Sequence, residues 1–230
     1  MARFWRIVAG IAGVLSLLMA AHADVVFSNL GQNDAFAVSG SEYSWYITGP
    51  DSTNPNLPDT TQWIAASFVP TADYTLTSLD LPFFHTSGTA TAVFRIVTDQ
   101  NGLPSTTVLG TQTLNNISGN PRIYNVSFAS QAVTLSASQT YWITALPGGF
   151  DSDLSWHTNV LGENGYAGSF GDAWRADIGK SPAFRVNGTP GFGVVPEAGT
   201  AALVLPVLVL GGVIGIRRRM LSRLVTVAID

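Results

Sequence analysis

The sequence predicts an all-β fold, an antiparallel β-sandwich of jelly-roll-like type, for the long middle part of the chain. Short segments in this part alternate apolar and polar residues and are rich in β-branched and aromatic side chains. Gly, Pro and Asn turn signals separate these segments, and no sustained helical period is present between the two chain ends. A closed barrel is the main alternative. A solenoid or propeller is disfavoured because the sequence has no internal repeat of about 20–50 residues.

The predicted strands follow one another at short spacing. In residues 74–81 the alternation places Tyr74 and Leu76 on one face, and Leu79 and Leu81 on the other, with a bulge-like slip between the two pairs. Residues 91–98 are the richest in β-branched and aromatic side chains. The other predicted strands are residues 64–69, 107–114, 122–128, 139–145 and 183–186, and the turn signals are Gly49-Pro50, Asn101-Gly102, Pro147-Gly148-Gly149 and residues 162–165.

The N-terminal residues 1–23 have the pattern of a secretory signal peptide. Arg3 and Arg6 supply a positive start, residues 7–19 are apolar, and Ala21-His22-Ala23 forms a small-residue cleavage site. We therefore expect the general secretion machinery to export the chain and the mature protein to begin at Asp24. An uncleaved N-terminal anchor is the alternative.

The C-terminal end has the pattern of a membrane anchor. A linker and a short motif occupy residues 190–197, an uncharged apolar run occupies residues 198–216, and Arg217, Arg218 and Arg219 follow. Nineteen residues at about 1.5 Å each form a helix of about 28 Å, close to the thickness of the bilayer core. The arginines predict that the basic tail, residues 217–230, lies in the cytoplasm and that the body lies outside it.

The same end resembles the PEP-CTERM sorting signal of Gram-negative bacteria. The resemblance rests on Val195-Pro196-Glu197, on Thr200, and on the apolar run with its arginine cluster in that order. It implies recognition and processing by exosortase, a membrane-embedded cysteine transpeptidase. An ordinary single-span anchor that is never cleaved is the alternative.

The body between the two ends is acidic. Thirteen of the 15 acidic residues and five of the 11 basic residues lie between Asp24 and Val195, which leaves a formal charge of about −8, against −4 for the whole chain. Such a body has no electrostatic footprint for nucleic acid, so no nucleic-acid partner is expected. The chain has no cysteine, which excludes disulfides and thiolate chemistry. Stability must therefore come from an apolar core.

Most of the body, residues 24–189, resembles the choice-of-anchor domains of type R. The resemblance rests on residues 68–81, on the DQNGLP stretch at 99–104, on LSASQTYW at 135–142, and on Phe184-Arg185-Val186. It implies an extracellular β-rich module attached to one of several kinds of C-terminal anchor. The resemblance carries over no catalytic residue.

Candidate catalytic groups are few. His85 and His157 are the only histidines of the mature body, and no motif of a hydrolase or metalloprotease accompanies them. We predict that they are surface or packing residues. Glycosidase chemistry needs two positioned carboxyl groups, for which Glu42 and Glu163 are the candidates, but both lie in loop-like sequence. The sequence therefore predicts a protein that is not an enzyme and has no catalytic residue.

Calcium is the one cofactor that the sequence suggests. Asp99 and Asn101 precede a Gly turn, and Asp151 and Asp153 repeat the same spacing of oxygen side chains. Because Asp and Asn also form turns through their own backbone hydrogen bonds, a purely structural turn is the alternative. Otherwise no cofactor is expected.

The aromatic residues suggest a surface for sugars. Trp156 and Trp174 lie in a Gly-, Asn- and Asp-rich region, residues 151–179, and are predicted to form an exposed loop platform that stacks on sugar rings. Packing of these side chains in the sandwich core is the alternative.

Together these patterns predict a non-enzymatic envelope or matrix protein. It would be anchored in the inner membrane facing the periplasm, processed by exosortase, and transferred to the cell surface or extracellular matrix, where it contributes to exopolysaccharide or biofilm. The alternative is an extracellular module that binds, or less readily cleaves, carbohydrate with loop aromatics.

Overall fold

A computed structural model describes residues 23–39, 43–53 and 61–191 of the chain. These residues form thirteen β-strands and one short 3-10 turn at Gln32–Asp34. The strands are β1 Asp24–Ser28, β2 Ser44–Thr48, β3 Trp63–Phe68, β4 Tyr74–Ser87, β5 Ala92–Gln100, β6 Leu103–Leu114, β7 Arg122–Ser127, β8 Thr134–Leu135, β9 Tyr141–Pro147, β10 Asp153–His157, β11 Asn164–Ser169, β12 Arg175–Lys180 and β13 Arg185–Pro190. The predicted all-β class is confirmed.

Two antiparallel sheets make up a β-sandwich-like body. The seven-stranded sheet has the order β1-β13-β4-β10-β2, with β7 and β8 also paired to β4. The six-stranded sheet has the order β12-β11-β3-β9-β5-β6. The long strand β4 organises the first sheet, because β13 pairs with its first half and β10 with its second half.

The core lies where side chains of both sheets meet. Leu79 and Phe83 of β4 and Phe94 and Ile143 of the other sheet are fully buried in one apolar cluster. The rings of Phe83 and Phe94 meet edge to face across it, with centroids 5.1 Å apart. Each such side chain contributes about 1.5–3 kcal/mol of burial free energy. This cluster therefore supplies the stability that a chain without cysteine cannot obtain from disulfides.

The predicted slip in residues 74–81 is present as a β-bulge. Strand β13 pairs Asn187 with Ser78 and then Gly188 with Leu76, so Thr77 has no counterpart in β13. The extra residue reverses the alternation. Leu76, Leu79 and Leu81 consequently enter the same core, where all three are fully buried. The prediction that Leu76 lies on the opposite face from Leu79 and Leu81 is therefore wrong.

The predicted strands all overlap observed ones, with shifts at their ends. Six strands were not predicted, namely β1, β2, β8, β10, β11 and β12. Their sequences are short or rich in Ser, Asp, Gly and Asn, which carry a weak strand signal. Pairing with neighbouring strands holds them in the sheets, so region 151–179 is largely strand and not the loop region that was expected.

The predicted targeting segments fall mostly outside the described residues. Outside the described residues lie the signal peptide up to His22, including Ala21, the motif Val195-Pro196-Glu197 with Thr200, the apolar run 198–216, and Arg217, Arg218 and Arg219. Ala23 is described, and Asp24 is the first residue of β1. In the described ranges, no helix is long and apolar enough to span a bilayer.

Candidate functional site

The outer face of the six-stranded sheet carries a groove. One line of cross-strand neighbours on this face runs from Ala167 through Ala65 and Thr144 to Arg95, and the last two of these line the groove. Three of the four side chains are small, which leaves space on this face. We call this depression the outer-face groove. It has a volume of about 210 Å³ and is lined by Trp63, Arg95, Val97, Ser105, Thr106, Val108, Thr144, Leu146 and Trp174.

Strand alternation explains why these residues face outward. In β9, Ile143 and Ala145 point into the main core, so Trp142, Thr144 and Leu146 point to the opposite face. The first six residues of β9 are nevertheless all buried. An outer sheet face is ordinarily polar, so an apolar and covered outer face marks this surface as unusual.

Trp174 covers part of the groove. It lies just before β12 and packs against a second apolar cluster on the outer face, formed by Ala65, Val97, Trp142 and Ala167. The ring of Trp63 is 6.2 Å from that of Trp174, at an angle of 52°. Both tryptophans are only partly buried. The groove therefore presents two aromatic surfaces to solvent.

The described tryptophans fall into two sets, according to whether the indole N–H has a hydrogen-bond acceptor among the described residues. The N–H groups of Trp45, Trp142 and Trp156 donate hydrogen bonds to Lys180 O, Asp99 Oδ1 and Ala183 O, at distances of 2.6, 2.8 and 2.8 Å. Those of Trp63 and Trp174 have no acceptor among the described residues. Within the described part of the chain, these two donors are therefore available to a ligand.

Arg95 adds a charged donor to the same groove. It is the single charged residue among the described residues that line it. Arg175 pairs with Asp172, and Arg185 pairs with Asp34 and Asp80. The half-buried guanidinium of Arg95, in contrast, forms no hydrogen bond or ion pair with another described residue.

A second hollow adjoins the groove. It has a volume of about 390 Å³ and shares Trp63 and Leu146 with the groove. Phe150, which is 74 % exposed, forms part of its wall. A chain-like ligand seated on Trp63 would have room on both sides of this tryptophan.

Asp99 and Asn101 belong to a hairpin turn. Asn101 and Gly102 both have positive φ, 58° and 78°, and connect Gln100 of β5 directly to Leu103 of β6. This is the two-residue turn that Asn-Gly favours. The Asp99 carboxylate accepts hydrogen bonds from the Gly102 N–H at 3.0 Å and from the indole of Trp142. These hydrogen bonds are those expected of the turn that was the alternative to a calcium site.

Asp151 and Asp153 are likewise used within the fold. Asp151 Oδ1 accepts hydrogen bonds from the hydroxyl and the N–H of Thr89, at 2.6 and 3.2 Å. The Thr89 hydroxyl is the main reason that the pKa of Asp151 lies below its usual value. Asp153 is fully buried in β10, near the hydroxyl of Ser87. Within the described part of the chain, no three His, Asp or Glu side chains are grouped to hold a metal ion, and we propose no calcium site.

The exposed platform predicted at Trp156 is wrong. Trp156 is fully buried, lies in β10 and packs on Phe83 at 5.4 Å between ring centroids. The core alternative is the one observed. Trp174 is partly exposed as predicted, but its aromatic neighbour is Trp63. The two lie far apart in the sequence, and strand pairing alone brings them together.

The two histidines have different surroundings. His85 is half-buried, and its Nε2 lies 2.8 Å from Gly88 O. His157 is fully buried among the rings of Phe36, Tyr43 and Phe84, and its Nδ1 lies 3.2 Å from Tyr43 O. The packing role predicted for His157 is confirmed. Of the two candidate glutamates, Glu163 is exposed just before β11, and Glu42 lies outside the described residues.

We expect the stability of the body to fall as the pH decreases from about 6.5 towards 5. Burial lowers the pKa of His157 in the folded state, whereas the unfolded chain has the ordinary value of about 6.5. Below that value the unfolded chain binds more protons, so protonation favours unfolding. Denaturant midpoints between pH 7.5 and 5 measure the effect. His157→Asn should flatten this dependence and His85→Asn should retain it; an equal slope in all three proteins would contradict the assignment.

The chain has no match among known proteins in two comparisons. A scan against models of protein families matches none of them, and a search of curated proteins finds no similar sequence.

Proposed function

We propose that the chain is an exported, non-enzymatic envelope or matrix protein that a PEP-CTERM-like tail brings to the membrane. Exosortase would then process the tail and transfer the body to the cell surface or extracellular matrix. The body is proposed to be a jelly-roll-like sandwich. The supporting sequence features are the signal peptide at 1–23, the motif Val195-Pro196-Glu197 with Thr200, the apolar run 198–216 and the three arginines after it.

The placement of the end strands carries this proposal. Strand β1 begins at Asp24, the expected mature N-terminus, and pairs with the last strand, β13. Strand β13 ends at Pro190 and is held between β1 and β4, so backbone hydrogen bonds secure it on both sides. A pull on the tail would have to break both ladders together. Such an arrangement suits a body that is tethered at its C-terminal end.

Exosortase processing is tested by the mass of the mature protein. In a host with exosortase we expect a chain that lacks the segment after the motif. In the same host without exosortase, and in the double variant Pro196→Ala/Glu197→Ala, the tail should remain in full. Intact-protein mass spectrometry of the membrane and secreted fractions measures this difference. If the tail is complete in both strains, exosortase processing is excluded and an uncleaved anchor remains.

A second candidate function, carbohydrate binding, is favoured by the outer-face groove. The partly exposed rings of Trp63 and Trp174 provide the large apolar faces on which sugar rings stack. Their indole N–H groups, which have no acceptor among the residues that the structure describes, provide donors for sugar hydroxyls. In this candidate function the sugar-binding surface is the outer-face groove on the sheet, and not the loop platform of Trp156 and Trp174 that the sequence suggested.

Trp174→Ala should weaken binding to host polysaccharide by about 10-fold or more, because one stacking surface and one donor are lost. Calorimetry with the mature, detergent-solubilised protein measures the affinity. Trp45→Phe is the matched control, because Trp45 stacks on Tyr166 at 4.4 Å and its N–H is already bonded within the fold. Binding that is unchanged in Trp174→Ala would exclude this groove as the sugar site.

A further inference from the structure

We infer that the outer-face groove binds an acidic sugar, a pyranose that carries a carboxylate, within a polysaccharide. This inference rests on the carbohydrate-binding function proposed above and adds the chemical class of the ligand. In this arrangement the sugar ring stacks on Trp63 or Trp174, and its carboxylate pairs with the guanidinium of Arg95.

The polar groups of the groove point to an anion. Arg95 and the indoles of Trp63 and Trp174, which have no acceptor among the described residues, are donors only. The hydroxyls of Ser105, Thr106 and Thr144 also line the groove and can both donate and accept. No carboxylate is present among the residues that line the groove. A ligand that bonds to the guanidinium and the two indoles must therefore supply acceptors, and a carboxylate supplies two in the planar geometry that matches the guanidinium.

The position of Arg95 distinguishes it from the other cations of the body. The body has a formal charge of about −8, from thirteen acidic and five basic residues, and Arg175 and Arg185 pair with carboxylates. Arg95, Arg122 and Lys180 form no ion pair with a described residue, and of these three Arg95 is the one that lines the groove. The nearest acidic residue along β5, Asp99, is occupied by Trp142 and by the turn. Among the described residues Arg95 thus has no counter-ion, and it lines a groove with several apolar side chains, where a ligand carboxylate would be partly desolvated and bound strongly.

The volume of the groove suits a single sugar ring, and the adjoining hollow leaves room for further sugar units of the same chain on one side of it. Its volume of about 210 Å³ lies below the 300–1,000 Å³ of sites for drug-sized ligands. The adjoining hollow of about 390 Å³, which shares Trp63 and Leu146 with the groove, extends the site in one direction. These dimensions suit a segment of a polymer.

The test compares an acidic oligosaccharide with its own neutral form. Mature, detergent-solubilised protein is titrated with oligogalacturonate and with the same oligosaccharide after reduction of its carboxyl groups. We expect the acidic form to bind about 10- to 100-fold more tightly, as charge-assisted hydrogen bonds of this kind allow, and the preference to weaken with salt. Arg95→Gln should remove the preference and leave the affinity for the reduced form unchanged.

Two variants serve as controls. Arg122→Gln removes an exposed arginine of the other sheet, which lies over the ring of Tyr124, and should leave both affinities unchanged. Trp174→Ala should weaken the binding of the acidic and of the reduced oligosaccharide by the same factor. A thermal unfolding curve for each variant establishes that it is folded before its affinity is compared.

Each other outcome overturns a stated part of the proposal. If both forms bind equally, or if Arg95→Gln keeps the preference for the acidic form, the assignment of an acidic sugar to Arg95 is wrong while carbohydrate binding stands. If neither form binds, the carbohydrate-binding function fails together with the inference. The mass experiment on exosortase processing is independent of all these results.

Discussion

Replacing Trp156 by Ala is expected to lower the free energy of unfolding by about 3–5 kcal/mol. The side chain is fully buried and packs against Phe83 and Phe184, with ring centroids at 5.4 and 6.3 Å. Its truncation leaves a large cavity between aromatic rings and leaves Ala183 O without its donor. Urea denaturation followed by circular dichroism measures the change.

Two further variants test the contributions of packing and of the hydrogen bond to the stability that Trp156 provides. Trp156→Phe keeps most of the apolar volume and loses the hydrogen bond, so we expect a cost of about 1–2 kcal/mol. Trp174→Ala removes a partly exposed ring and should cost less than Trp156→Ala. If truncation of Trp156 and of Trp174 had equal effects on the unfolding midpoint, the assignment of Trp156 to the core would be contradicted.

Gly88→Ala is expected to destabilise the body by about 2–6 kcal/mol. Gly88 has a φ of +70°, which costs a residue with a side chain about 1–3 kcal/mol. An added Cβ would also lie 1.9 Å from Asp151 O, a backbone atom of the neighbouring loop. The two loops would have to move apart, and repacking of this kind adds about 1–3 kcal/mol. The measurement is again the free energy of unfolding.

Gly102→Ala is the matched control for this prediction. Gly102 has a φ of +78°, but an added Cβ there would meet no atom within 4 Å. It therefore reports the backbone cost without the steric cost, about 1–3 kcal/mol. Equal losses at the two positions would show that the contact between Gly88 and Asp151 does not constrain the fold.

Local sequence signals identified much of the sandwich. The pair Asn101-Gly102 predicted the turn that the β5–β6 hairpin contains, because both positions require positive φ. The broken alternation between Leu76 and Leu79 predicted the bulge in β4, because a strand with one buried face cannot change its side-chain period without an extra residue. Both signals depend on neighbouring residues alone.

The candidate site depended on contacts between residues distant in the sequence. Trp63, Arg95, Thr144 and Trp174 come from β3, β5, β9 and the segment before β12, and pairing of these strands brings them together. One local signal was available, since β9 carries apolar residues on both faces, which indicates that its outer face is covered. The strand order that selects its neighbours is not encoded in any single segment.

The sequence by itself determined the class of fold and the Asn101-Gly102 turn, because periodicity and turn chemistry are properties of short stretches. Apolar length and flanking charge, which are also local, are the basis on which we propose export and anchoring. Only the tertiary structure decided that Trp156 is in the core and that Trp174 and Arg95 share a groove. The physical reason is that burial depends on which strands pair. Strand β10 lies between β4 and β2 and is buried along its whole length, although its Asp, Ser and His residues resemble a loop.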